Sequence, residues 1–224
     1  MMNIKTIMCY GDSNTWGLDP ETRTRYPINI RWTGLLQQHL GNEVRVIEEG
    51  LRGRTTTRDD PVQAGRNGSQ LLLPLLESHA PVDLVVLMLG TNDFQDAYDY
   101  QPDDVANGIQ KLIDITLQSK SGVNNNPPQI LLICPPPIEN PTNGFQYLFS
   151  NENHKSASLP FFYRLIAKES GCYFLDASEI VKPSPKDGIH LDEIGHFLLA
   201  EQIYSAISTL LFGPLGGKPQ FDDI

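Results

Sequence analysis

Three residues in two distant stretches of the chain have the types that acyl transfer needs. Ser13 stands in Tyr10-Gly11-Asp12-Ser13-Asn14-Thr15-Trp16-Gly17, directly after the apolar run Thr6-Ile7-Met8-Cys9. That order reads as a buried strand entering a tight turn, which holds the hydroxyl out at the carboxyl edge of a sheet, where α/β proteins bind ligands. A serine hydroxyl is a weak nucleophile near neutral pH, so it needs a base and an acid that orients the base. Asp187-Gly188-Ile189-His190 offers both. The spacing, with glycine to let the turn bend, allows Asp187 to accept from one ring nitrogen of His190 while the other faces Ser13.

The same chemistry requires donors aimed at the oxygen that becomes negative in the tetrahedral intermediate, each worth about 3–4 kcal/mol of barrier. Two further stretches at strand ends can supply them. In Gly50-Leu51-Arg52-Gly53-Arg54-Thr55-Thr56 the backbone can approach a substrate closely at Gly53 and present its N–H. In Gly90-Thr91-Asn92-Asp93 the Asn92 amide can donate to an oxyanion. Each stretch taken singly is an ordinary turn sequence. Their joint placement carries the argument.

The elements that must position these residues follow from hydrophobic periodicity. Strands are expected at 6–10, 44–48, 84–89, 130–134 and 172–176, and helices at 31–40, 69–79, 104–119, 159–170 and 193–211. Leu84-Val85-Val86-Leu87-Met88-Leu89 is apolar without alternation, the pattern of a strand covered on both faces, as in a parallel sheet between helical layers. The expected fold is therefore a three-layer α/β/α sandwich. Strands one, two and three each run into a glycine-containing polar loop, and in a parallel sheet those loops share one edge. The segment 135–160 is long for a connection, and its Phe145, Tyr147 and Phe149 are expected to be buried over the active-site mouth or against another subunit.

Composition narrows the class. The 224 residues suffice for one domain, placed at 1–212, with residues 213–224 as a loosely held arm. A net charge of −10 argues against nucleic-acid and anionic-lipid surfaces. No apolar run reaches the about 18 residues of a membrane span, and Met1-Met2-Asn3-Ile4-Lys5 leads straight into the first strand without a secretory leader. A cytoplasmic protein without a membrane partner is expected. Cys9, Cys134 and Cys172, each in or beside an apolar run, read as buried free thiols.

These stretches resemble the SGNH (GDSL) hydrolase superfamily, whose blocks carry serine, glycine, asparagine and histidine in this order. Gly11-Asp12-Ser13, Gly53, Gly90-Thr91-Asn92-Asp93 and Asp187-Gly188-Ile189-His190 match them. The words Asp12-Ser13-Asn14-Thr15-Trp16-Gly17, Arg31-Trp32-Thr33-Gly34 and Glu48 to Thr56 are most similar to the bacterial arylesterase and acyltransferase branch, apart from Asn14, where many members have leucine or isoleucine. The resemblance implies a five-stranded parallel sheet of flavodoxin-like order. It makes Ser13 the nucleophile, His190 the base and Asp187 its partner, and forms the oxyanion hole from the N–H groups of Ser13 and Gly53 and the Asn92 side chain. It places Trp16, Thr91 and Ile189 in the acyl or alcohol pocket. It further implies short-chain, acetyl-type ester hydrolysis, acyl transfer to added alcohols, no cofactor, and association into homo-oligomers.

Alternatives remain beside this reading. The same machinery deacetylates sugars, which makes a carbohydrate acetylesterase the second enzymatic possibility. Ser13-Asn14-Thr15 after strand one could be a flavodoxin-like flavin or phosphate loop, and Asp12, Asp93 and His190 could hold a metal. Asp12 and Asp93 are otherwise expected to brace turns, Arg52 and Arg54 to form surface or interface salt bridges, and His39, His79, His154 and His196 to lie outside the chemistry.

Overall fold

The five apolar runs become the parallel strands β1 (Lys5–Gly11), β2 (Val44–Gly50), β3 (Leu84–Met88), β4 (Gln129–Cys134) and β5 (Tyr173–Asp176), in sheet order β2-β1-β3-β4-β5. The helices are α1 (Ser13–Trp16), α2 (Trp32–Leu40), α3 (Gly68–His79), α4 (Pro102–Gln118), α5 (Asn153–Ser156), α6 (Leu159–Ser170) and α7 (Glu193–Phe212). This computed structural model describes residues 4–149 and 153–212, so the arm expected at 213–224 lies outside the described residues.

Every residue of β3 is buried because the sheet has a core on each face. Side chains alternate between them. Met8, Tyr10, Val85, Leu87 and Leu132 pack with Leu72, Leu76, Ile109, Leu112 and Tyr163 of α3, α4 and α6. Ile7, Cys9, Val86, Met88 and Leu131 pack with Trp32, Leu36, Leu199, Ile203 and Ile207 of α2 and α7. The three cysteines are buried and unbonded.

Helix boundaries shift where local chemistry extends them. α4 starts two residues before the apolar periodicity suggests, because proline is tolerated in a first turn and the Asp104 carboxylate accepts the Gln101 N–H (2.9 Å). Among the described residues no helix is long and apolar enough to cross a membrane.

Register sets the position of the site. Gly11 at the end of β1 lies opposite Gly50 of β2 on one side and Met88 of β3 on the other. Residues 12–13, 51–54 and 89–93 therefore leave the sheet side by side. The chain turns to opposite flanks of β1 for β2 and β3, which opens the crevice used by ligands in doubly wound sheets.

Candidate active site

Ser13 owes its position to the turn that follows β1. The Asp12 carboxylate caps α1 by accepting the Asn14 N–H (2.9 Å), and the single helical turn closes through Trp16 N–H to the Asp12 carbonyl (2.9 Å). Capping of this kind stabilises a helix start by about 1 kcal/mol. As the first residue of the turn, Ser13 keeps a backbone N–H with no intrahelical acceptor. Its hydroxyl Oγ lies 2.8 Å from His190 Nε2, and His190 Nδ1 lies 2.6 Å from Asp187 Oδ2. In the tautomer that donates Nδ1–H to Asp187, Nε2 is left to accept from the serine hydroxyl.

The histidine is fixed from several directions. Asp187 Oδ1 accepts the N–H groups of Ile189 and His190, each at 2.9 Å, so one buried carboxylate orients both backbone and ring. Asn14 accepts the Leu191 N–H (3.0 Å) and donates to the Ile189 carbonyl (3.3 Å), bracketing His190. Behind it, the Trp32 indole donates to the Asn14 carbonyl (3.1 Å), and the Trp32 N–H is accepted by Nδ1 of buried His196 (3.3 Å). Burial pushes the His196 pKa down to about 3 and keeps it neutral.

The 135–160 connection closes over this loop. Glu139 N–H binds the Gly188 carbonyl (2.8 Å) and Thr142 N–H the Asp187 carbonyl (3.0 Å). The approach is so close that a Cβ on Gly188, whose φ is +75°, would sit 2.0 Å from the Glu139 carbonyl oxygen. Phe145 lies with its ring centroid 5.1 Å from that of His190, while Phe149 is buried in the core and Tyr147 is exposed. Two of the three aromatics are thus used within the chain, over the mouth and beneath it.

The expected oxyanion donors arrive from the neighbouring strands. A turn closed by Arg54 N–H to the Leu51 carbonyl (3.1 Å) carries Gly53 at φ +73°, a conformation that favours glycine. Asn92 Nδ2 donates to the Arg54 carbonyl (3.1 Å), which orients its amide and leaves the second hydrogen available. Of the expected pocket residues, Thr91 and Ile189 are buried, Ile189 within the apolar core, and Trp16 is half-buried between Arg25 and Arg52.

Beneath the site lie charges that the sequence places only by neighbourhood. Asp93 accepts the Thr56 N–H (3.0 Å) and hydroxyl (2.5 Å), tying the Gly53 loop to the Asn92 loop. Arg54 is buried over the Tyr10 ring, donating to the Gly11 carbonyl (2.8 Å) and the Glu49 carbonyl. Among the described residues it forms no surface salt bridge, because its guanidinium fills the space under the strand ends. Burial raises the Asp12 pKa to about 6, against the Asn14 hydrogen bond and the positive fields of His190 and Arg54. Burial also raises Asp93 to about 7, with the Asp12 charge adding to it. Among the described residues no group of three or more His, Cys, Asp or Glu is arranged to hold a metal ion.

The model of the GDSL-like lipase/acylhydrolase family matches residues 9–198. The fold superposes on Est24, a carbohydrate acetylesterase from Sinorhizobium meliloti, with a TM-score of 0.88 at 36% identity, over 92% of this chain and 100% of that one. An aryl esterase from M. smegmatis gives the same figures, a TM-score of 0.88 at 36% identity over 92% and 100%. A G-D-S-L lipolytic protein from Veillonella parvula shares the fold at 17% identity, with a TM-score of 0.67 over 94% and 100%. No curated protein matches the chain.

Two outcomes are expected from this geometry. Asn14→Leu removes both bonds beside His190; at about 1 kcal/mol for each, turnover of phenyl acetate should fall by up to about thirtyfold in kcat, with KM nearly constant. Steady-state kinetics check it, and a change confined to KM would place Asn14 in substrate binding instead. Asp93, raised in the folded state, contributes stability that is complete below its unfolded pKa of 3.8 and lost as pH rises through about 7. Asp93→Asn should therefore gain melting temperature relative to the native chain between pH 5 and pH 8, read by thermal unfolding at both.

Proposed function

The chain belongs to the GDSL-like lipase/acylhydrolase family, and from that premise we propose that it is a serine esterase for short-chain, acetyl-type carboxylic esters of aryl and simple alcohols. The observation that carries the reading is the continuous hydrogen-bonded path from Asp187 through His190 to Ser13, with spacings of 2.6 and 2.8 Å. Ser13 Oγ gives its proton to His190 Nε2 and bonds to the ester carbonyl carbon. The carbonyl oxygen takes the negative charge and accepts from the Ser13 and Gly53 N–H groups and the Asn92 amide. The intermediate collapses by breaking the carbon–alkoxy bond, and His190 returns the proton to the departing alcohol. Water then repeats the sequence on the acyl-enzyme, releasing the acid and restoring Ser13. An alcohol in place of water gives transesterification by the same steps. Cofactor chemistry has no part in this path, and Trp16 borders the acyl or alcohol pocket with Thr91 and Ile189 behind it.

A second reading, deacetylation of an acetylated sugar, is favoured by the likeness to the S. meliloti carbohydrate acetylesterase, which equals the likeness to the aryl esterase. Copies of the chain also self-associate in this proposal, with Tyr147, 81% exposed, as the aromatic left free for contact.

A fluorophosphonate probe should add covalently at Ser13, as mapped by mass spectrometry, and labelling and ester turnover should vanish in Ser13→Ala and fade in His190→Ala. Retained hydrolysis by Ser13→Ala would sink the assignment. Phenyl acetate should turn over faster than acetylated xylose; the reverse order would select the carbohydrate reading. Light scattering at micromolar concentration should report more than a monomer.

A further inference from the structure

Eight of the nine arginines fall between residues 23 and 66 of a chain whose net charge is −10, and several meet at the carboxyl edge of β1 and β2. Most have their donors engaged within the protein. Arg31 binds Glu48 through Nε (3.0 Å) and Nη2 (2.6 Å), Arg54 binds the Gly11 carbonyl, and Arg25 donates to the Trp16 carbonyl (2.7 Å) beside Glu48. Arg66 donates to Gln63 (2.9 Å). Arg58 lies against Tyr98 and Tyr100, but the Tyr98 hydroxyl also binds the Asp60 carboxylate (3.2 Å), so an acid already stands there.

Arg23 and Arg52 differ. Both are exposed, and among the described residues neither guanidinium is hydrogen-bonded or ion-paired. Each lies over an aromatic ring of the site. The Arg23 guanidinium is 4.8 Å from the centroid of Phe145, the ring that covers His190, and that of Arg52 is 5.4 Å from the centroid of Trp16, beside Gly53. A guanidinium drawn to a ring face by cation–π attraction keeps its N–H donors free to bind, and its planar fork can grip the two oxygens of a carboxylate.

His190 returns its proton to the departing alcohol, so that half of the ester passes the side covered by Phe145. Resting on the esterase reading, we propose that the mouth selects esters whose alcohol half carries a carboxylate, held by Arg23 on Phe145 with Arg52 on Trp16 as the second cation. The two cations offset, at the mouth, the repulsion that an acidic protein would exert on such a substrate.

The test is the ratio of kcat/KM for 4-carboxyphenyl acetate to that for phenyl acetate, which cancels any loss of folded enzyme. It is measured in the native chain and in Arg23→Gln, Arg52→Gln and Arg45→Gln, with and without added salt. Arg45 is exposed at the opposite end of β2 and removes the same charge. The ratio should fall by up to about fivefold in Arg23→Gln, the most that an exposed charge pair contributes, less in Arg52→Gln, and not in Arg45→Gln. Salt should lower it in the native chain. An unchanged ratio in Arg23→Gln, or an equal fall in Arg45→Gln, overturns the proposal and leaves the esterase reading intact. If the native chain turns over neither ester, the esterase reading falls and takes the proposal with it.

Discussion

A hydrogen bond of 2.8 Å joins His190 to Ser13 across 177 positions of sequence, and much of the architecture serves to hold those two residues at that separation. Closing so long a loop costs conformational entropy that one hydrogen bond cannot offset. The cost is met by the two apolar cores, which fix β1 at one end and seat α7 against α2 at the other. What remains is local aiming. Asp187 orients the histidine from its own turn, and Asn14 ties the backbone around it to the serine turn. Both ends of the relay are thus clamped to each other as well as to the sheet.

Electrostatics beneath the site follow from the same crowding. Three strand ends converge, leaving buried backbone carbonyls that need donors and loops that need ties. Arg54 supplies donors to two carbonyls, and Asp93 ties the Gly53 and Asn92 loops through Thr56. Buried carboxylates are costly when charged, which is why Asp12 and Asp93 are raised, and Arg54 offsets part of that cost at Asp12 alone. Under the proposed mechanism, these ties hold the Gly53 and Asn92 loops as preorganised oxyanion donors, which then need little reorganisation as charge develops.

The upper side is built differently. The connection after β4 crosses the 187–190 turn through backbone hydrogen bonds and lays Phe145 against His190. Arg23 and Arg52 lie over the Phe145 and Trp16 rings, and eight of the nine arginines fall between residues 23 and 66 of a chain whose net charge is −10.

Much of this was legible in the sequence because it depends on short-range rules. Unbroken hydrophobicity in 84–88 marks a strand covered on both faces, and a glycine-bearing polar loop after each strand marks the shared edge. Ser13, Asn92, Asp187 and His190 could be singled out because few residue types do such chemistry and each stood at an element boundary. The tertiary structure alone decided what depends on distant neighbours. Asn14 looks like a mere departure from the family pattern until residues 189–191 are brought beside it, Arg54 looks like a surface cation until three strand ends close over it, and Phe145 could face a partner or a mouth until the turn at Asp187 receives its loop. Residue type and spacing fix which chemistry is available and where each element starts and stops. Register and loop packing, set by contacts across the whole chain, decide which polar groups meet.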